Sequence, residues 1–204
     1  MCAKYGSATE YNMFERAYKI SFAQIITLPQ KIIFPHTIAP VILQKNNAPE
    51  LELMNYSLIP SWSKARKPKF ATYNARIEEV RSKPSWKEPF KSKHCIVPVM
   101  NFYESVYDGP YAGHNISLFA KAKHLLSAAG IWDSWLDQAS GEEVHSFAIL
   151  TTEPPQDVLD AGHDRCPIFL PTEKAFEWIQ DNRKADDWVE FLANTREVVE
   201  FGVE

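Results

Sequence analysis

Short apolar runs, each cut off within a few residues by a proline or a polar turn, recur through most of this chain. Between Ala17 and Leu43 the breaks fall at prolines 29, 35 and 40, and the strand-like LELMNYSLI stops at Pro60. A residue that cannot donate to a β-ladder belongs at strand ends and edges, so the pattern predicts many short strands. HCIVPVMNFYESVY is apolar and β-rich, HNISLFAKAKHLLSAAGIWDSW holds at least two strands with a turn, HSFAILTT is a buried strand with a polar exit, and CPIFLP is a further short one.

Helical signals are fewer. Tyr5 to Arg16 is polar and poorly periodic, and ATYNARIEEVRS reads as an extended piece running into a short helix. PPQDVLDAG has the proline start and glycine stop of a short helix, and TEKAFEWIQ and ADDWVEFLAN carry apolar residues at helical spacing with acids near their starts. With no repeat or linker, 204 residues suit one α+β domain spanning 1–204: a mixed, mostly antiparallel sheet with peripheral helices, on which residues 172–204 pack as a helical C-terminal extension.

No apolar run approaches the roughly 20 residues of a membrane span, and the N-terminus lacks a signal-peptide pattern. A cytoplasmic protein with no membrane partner is the expectation. Cys2, Cys95 and Cys166 are odd in number and widely spaced, which fits free thiols in a reducing compartment. The net charge of −4 conceals an asymmetry: residues 60–95 carry ten basic side chains against three acidic, whereas residues 171–204 carry nine acids against four bases. A basic middle segment is most often a solvated loop, but it is also where a phosphate backbone would be met.

Several chemistries are excluded or disfavoured. There is no G-x-S-x-G elbow, P-loop or dinucleotide fingerprint, and only seven glycines, so no nucleotide cofactor is expected. His94–Cys95 and His163-x-x-Cys166, joined by Cys2, supply zinc-type donors without zinc-type spacing, so no metal is expected either. Three polar residues stand at the edges of apolar stretches: Asn74 in TYNAR, Glu104 in NFYES and His163 in GHDR. Singly each has an ordinary reading, as a turn residue, a surface acid and a helix-terminal or core imidazole.

Taken in order, MC-x-x-Y, YSLIPSW, NAR, CIVPVMNFYE, AGIWDSW, FAILTT and HDRCPIFLP resemble the SOS response-associated peptidase (SRAP) family of abasic-site processing proteins, over about residues 1–171. The resemblance implies a bifurcated, barrel-like sheet, a monomer, and single-stranded DNA containing abasic sites as partner. It implies that Met1 is removed, by self-processing or by an aminopeptidase, and that the exposed Cys2 forms a covalent DNA–protein crosslink. Asn74, Glu104 and His163 are then its catalytic neighbours, with possible strand scission at the lesion as a slower activity. Lys4 and Arg76 fall where the family contacts phosphates, and Trp62 and Thr151 are grouped with them as DNA-binding positions.

The chemistry suits those residues. An α-amine with a pKa near 7.7–8.0 is substantially neutral at physiological pH and attacks the open-chain aldehyde of an abasic sugar, whereas a lysine amine is mostly protonated. The thiol of the same residue then closes a five-membered thiazolidine intramolecularly. Trp62 and Phe102 are candidates to stack on unpaired bases, with core packing favoured for Phe102.

The sequence also departs from the family pattern. Ala3 and Lys4 follow Cys2 in place of glycine and arginine, Lys4 lacking the bidentate fork. Tyr56, Asn101, Ser105 and Cys166 replace tryptophan, glycine, tryptophan and methionine. Two other functions compete: a non-covalent single-stranded DNA-binding module, and a cysteine peptidase acting through Cys2 and His163.

Overall fold

The computed structural model describes residues 3–19, 27–29, 31–107, 109–180 and 183–204. The chain enters as β1 (Lys4–Gly6) and α1 (Tyr11–Tyr18). That helix lies where the sequence reads as aperiodic; it is held by Phe14 and Tyr18, one turn apart and both buried. Packing of one face, more than propensity, stabilises so short a helix. After β2 (Ile32–Ile33), β3 (Ile38–Lys45) and β4 (Ala48–Tyr56) form a hairpin whose two loop residues, Asn46 and Asn47, both have positive φ, as a primed turn requires.

β5 (Asn74–Arg76) does not run into the helix expected from RIEEVRS. The backbone turns instead, and α2 (Pro84–Lys87) begins only at its proline, because a proline disfavours helical backbone in the residue before it and Lys83 is extended. There follow α3 (Pro89–Ser92), β6 (His94–Val99), β7 (Asn101–Ser105), β8 (Asn115–Ala120), β9 (Leu126–Leu136), β10 (Glu143–Thr152), α4 (Gln156–Asp160), β11 (Cys166–Pro167), β12 (Phe169–Leu170), α5 (Thr172–Gln180), α6 (Ala185–Asn194) and β13 (Phe201–Val203).

The strands make two sheets. One is five-stranded in the order β13-β8-β7-β1-β2, with antiparallel pairs throughout. In the other, β10-β4-β3-β6-β9 closes on itself through β9–β10 pairing, giving a five-stranded barrel to which β5, β11 and β12 are added. Among the described residues only β10–β4 and β10–β5 are parallel. The expected mostly antiparallel, barrel-like sheet with peripheral helices is what forms. The tail is not purely helical, however: after α5 and α6, β13 returns to pair with β8 at the edge of the first sheet.

Strand alternation divides the core in two. Cys95, Val97 and Val99 of β6, with Phe147 and Ile149 of β10, pack with Tyr5, Phe102 and Leu118 of the five-stranded sheet. Ile96, Ala148 and Leu150 face the other way, against Phe14, Phe90, Trp178 and Trp188 from the helices. With both faces covered, all six residues of β6 are buried, which explains its unbroken apolar sequence. Gly130 on β9 is needed at this contact, since a Cβ there would lie 2.8 Å from Cys95 Sγ and 2.9 Å from Val97 Cγ2. No helix among the described residues is long and apolar enough to cross a membrane.

Candidate active site

β7 turns Phe102 and Glu104 inward and Asn101, Tyr103 and Ser105 outward, so its one carboxylate is delivered to a buried position. Opposite it stands His163, and the sequence DAGH explains how. α4 ends in a Schellman motif: the Gly162 N–H donates to the Leu159 carbonyl and the His163 N–H to the Val158 carbonyl. Gly162 has φ +91°, a backbone conformation that favours glycine, and the reversal it makes aims the imidazole at the sheet. His163 Nε2 lies 2.7 Å from Glu104 Oε2, with both side chains buried. His163 Nδ1 is 2.9 Å from the Arg165 carbonyl oxygen, which fixes the ring from its other edge.

Arg165 extends this arrangement. Its guanidinium donates to both oxygens of Glu78, at 3.1 and 2.9 Å, and Nη2 also donates to the Thr151 carbonyl at 2.8 Å. Burial raises the Glu78 carboxyl pKa, but the hydrogen bonds and charge of Arg165 outweigh it and leave the group below the usual carboxylate range. The segment carrying His163 is thereby tied to the end of β10 and to the turn after β5.

Asn74 opens β5, which lies parallel to β10 with Asn74 opposite Ile149 and Arg76 opposite Thr151. Its Oδ1 is 3.5 Å from the Tyr56 hydroxyl, and the Tyr56 ring stacks on Phe147 and meets Tyr5 of β1 edge-on at 5.3 Å. Asn74 and Arg76 line one groove of about 540 Å³ together with Trp62, Phe70 and Lys83. Trp62 and Phe70 are 57% and 52% exposed there, and Trp62 Nε1 donates to the Pro84 carbonyl. Three of the residues singled out in the sequence, Asn74, Arg76 and Trp62, thus share a basic, aromatic-walled surface.

Others are placed differently. Lys4 stands on the outer face of β1, its ammonium 4.1 Å from the Tyr103 ring centroid and 5.7 Å from that of Phe34. Thr151 is fully buried; its carbonyl accepts from Ile77 N–H and from Arg165, so what it offers the site is backbone support rather than an exposed side chain. Phe102 is buried against Phe201, 5.5 Å between centroids, which makes it a core residue and not a stacking platform. Cys2 lies outside the described residues.

The zinc-type donors go elsewhere. Both His94 nitrogens face backbone carbonyls, of Trp178 and Phe90, and its ring stacks on Trp178 at 3.6 Å. Burial pushes the thiols of Cys95 and Cys166 up, keeping both protonated and unreactive. Among the described residues no group of three or more His, Cys, Asp or Glu side chains is placed to hold a metal ion.

Sequence reasoning missed Arg165, Glu78 and Tyr56 as parts of the site. Arg165 stood two residues after His163 in HDR, and an arginine inside a mostly apolar stretch was the available signal, since such a residue is seldom buried without a carboxylate or carbonyl partner.

A closed mixed barrel flanked by a second sheet, with a buried carboxylate–imidazole pair of Glu104 and His163, defines the α+β class of this protein. The sequence model of the SOS response associated peptidase (SRAP) family matches residues 1–202, and the chain belongs to that family. The match takes in α5, α6 and most of β13, beyond the motifs that end at Pro171. Among relatives, it is 27% identical over 198 residues to the abasic site processing protein YoqW of Bacillus subtilis, covering 94% of this chain and 86% of that one. Among solved structures, a Bacteroides thetaiotaomicron protein superposes with a TM-score of 0.76 at 25% identity, covering 94% of this chain and 86% of that one. A Bordetella bronchiseptica protein gives 0.82 at 20% identity over 99% of this chain and 98% of that one, a likeness of fold.

Proposed function

We propose that this protein processes abasic sites in single-stranded DNA by forming a thiazolidine crosslink through Cys2 once Met1 has been removed. The observation that carries the reading is the register of β1. Lys4 pairs with Tyr103, the residue before Glu104, so the chain enters the sheet beside the Glu104–His163 pair. The likeness to YoqW, an abasic site processing protein, supports the substrate.

The steps follow from the groups present. The Cys2 amine adds to C1′ of the ring-opened sugar, and the resulting carbinolamine loses water to give a Schiff base. The Cys2 thiol adds to the same carbon while its proton passes to the former imine nitrogen, closing the ring. In this reading Glu104, with His163 Nε2 2.7 Å from its carboxylate, gives and takes the protons of sugar opening and water loss. Asn74 offers a neutral hydrogen-bonding group that orients the amine without the pKa-raising effect of a carboxylate. If the Schiff base persists, a base at the same place removes a C2′ proton and eliminates the 3′ phosphate, the lyase branch.

DNA would lie over the groove shared by Asn74, Arg76 and Trp62, its phosphates on Arg76 and Lys83 and a base against Trp62. The test is incubation of the Met1-free protein with a single-stranded oligonucleotide holding one abasic site, followed by a denaturing gel and intact-mass measurement. A shifted band with the mass of protein plus DNA less one water is expected for the wild type and none for Cys2→Ala. Absence of the wild-type band overturns the reading, and binding retained equally by both proteins without any adduct identifies a non-covalent module instead.

A further inference from the structure

Among the described residues, the outward face of the five-stranded sheet is not covered by a helix in the way the barrel is, and it bears a continuous groove. One part, of about 570 Å³, runs across β1, β7 and β8 over Asn101, Tyr103 and Phe119, with Lys31 and Lys123 among its lining residues. A second part, of about 340 Å³, shares Met100, Lys123 and His124 with the first and continues to Arg16 on α1. Both volumes lie in the range of ligand-binding clefts.

Two glycines keep this face shallow. A Cβ on Gly6 would lie 2.0 Å from Asn101 Oδ1, and one on Gly202 would lie 2.6 Å from Phe119 Cζ, so the amide and the ring both rest flat on neighbouring backbone. Tyr103 and Phe119 are half-buried and present rings at the surface. Lys31, Lys123 and Arg16 form no ion pair among the described residues, and His124 is held by Glu197 at 2.7 Å. Among the described residues, the one carboxylate side chain lining the two parts is that of Glu204. Unpaired cations beside aromatic rings on an open sheet suit a phosphodiester chain with unpaired bases.

We propose that this groove is a second contact for single-stranded DNA, holding the flank of the strand a few nucleotides from the lesion. The inference rests on the crosslinking function proposed above, because that function supplies the DNA. The groove is continuous with the reactive end of the chain: Gly6 lines it and is four residues after Cys2, at most about 14 Å of extended backbone. Lys4, over the Tyr103 ring, stands between the two. A strand leaving the Glu104–His163 pair past Lys4 therefore meets Tyr103, then the cations beyond it.

The experiment compares undamaged oligothymidylates of about 6 and about 20 nucleotides, lengths that fill one contact or reach both. Binding is read by fluorescence anisotropy across a salt series, for the wild type and for Lys31→Gln/Lys123→Gln, two exposed positions outside the catalytic machinery. For the longer oligonucleotide the double variant is expected to bind about tenfold more weakly, with a log–log salt slope smaller by about 1.4, two contacts at about 0.7 each. The shorter one should bind both proteins alike.

Equal affinity of wild type and variant for the longer oligonucleotide overturns the inference, as does equal loss on both lengths. Competition by polyglutamate as effective as that by unlabelled oligothymidylate also overturns it, since charge alone would then account for binding. The crosslinking function fails separately, if the wild type forms no adduct with an abasic oligonucleotide of either length.

Discussion

His163 Nε2 sits 2.7 Å from Glu104 Oε2 although the two residues come from a helix end and a strand almost sixty positions apart. Each is the other's buried partner, so a change in one is felt as both lost chemistry and an altered neighbour. Glu104→Gln keeps the shape and a hydrogen-bonding group but cannot carry the proton. Its crosslinking rate with abasic single-stranded DNA is expected to fall by about 10²–10⁴-fold, measured in single turnover, with unchanged affinity for undamaged DNA. A rate within twofold of wild type would remove Glu104 from the chemistry.

Ser57 follows Tyr56 with φ +126°, a conformation unfavourable to any residue with a Cβ, and its buried hydroxyl has no hydrogen-bond partner among the described residues. Ser57→Gly relieves both costs. We expect a gain of about 1 kcal/mol, seen as a melting temperature higher by about 3 °C. A lower melting temperature would mean that the strain is not borne where the backbone places it.

Burial lowers the His94 pKa from 6.5 to about 4, against the opposing pull of the Phe90 and Trp178 carbonyls. The unfolded chain takes up a proton as pH falls below about 6.5 while the folded one resists until about 4, so stability is full above that window and drains through it. The total is on the order of 3 kcal/mol. Urea midpoints measured between pH 7.5 and 5, above the carboxylate range, should fall for wild type and fall less for His94→Phe, which keeps the stack on Trp178. Parallel profiles for the two proteins would assign the loss to other groups.

Cys95 and Cys166 are buried and their thiols are pushed up by that burial, so neither is available as a thiolate. Iodoacetamide at neutral pH should therefore modify the native Met1-free protein once per chain, at Cys2, and three times after unfolding. Peptide mapping that finds native labelling at Cys95 or Cys166 contradicts the packing described.

The parts of this molecule that could be read from sequence are those fixed by local rules. HSFAILTT and HCIVPV alternate or bury both faces in ways that only strands in a covered sheet satisfy, and they became β10 and β6. α1 escaped because eight residues with two buried aromatics give almost no periodic signal, and β13 because a three-residue edge strand is specified by the strand it meets, β8, and not by itself. At the site, Asn74, Glu104 and His163 could be named from motif wording. The Arg165 tie to Glu78 and Thr151 could not, since it joins turns that are distant in sequence and meet only when β5 and β10 pair. Thr151 shows the converse: adjacency in a motif says nothing about which way a side chain faces.

The sheet that carries Glu104 takes an inner strand, β1, from the beginning of the chain and an edge strand, β13, from its last few residues. On the ribosome the place beside β8 therefore stays vacant until β9, β10, α5 and α6 have all followed it. His163, too, emerges late. Glu104 is made almost sixty residues before the imidazole it pairs with. Closure of that sheet and the meeting of Glu104 with His163 are thus late events for a strand, β1, that is made first, an order of assembly written into strand order alone.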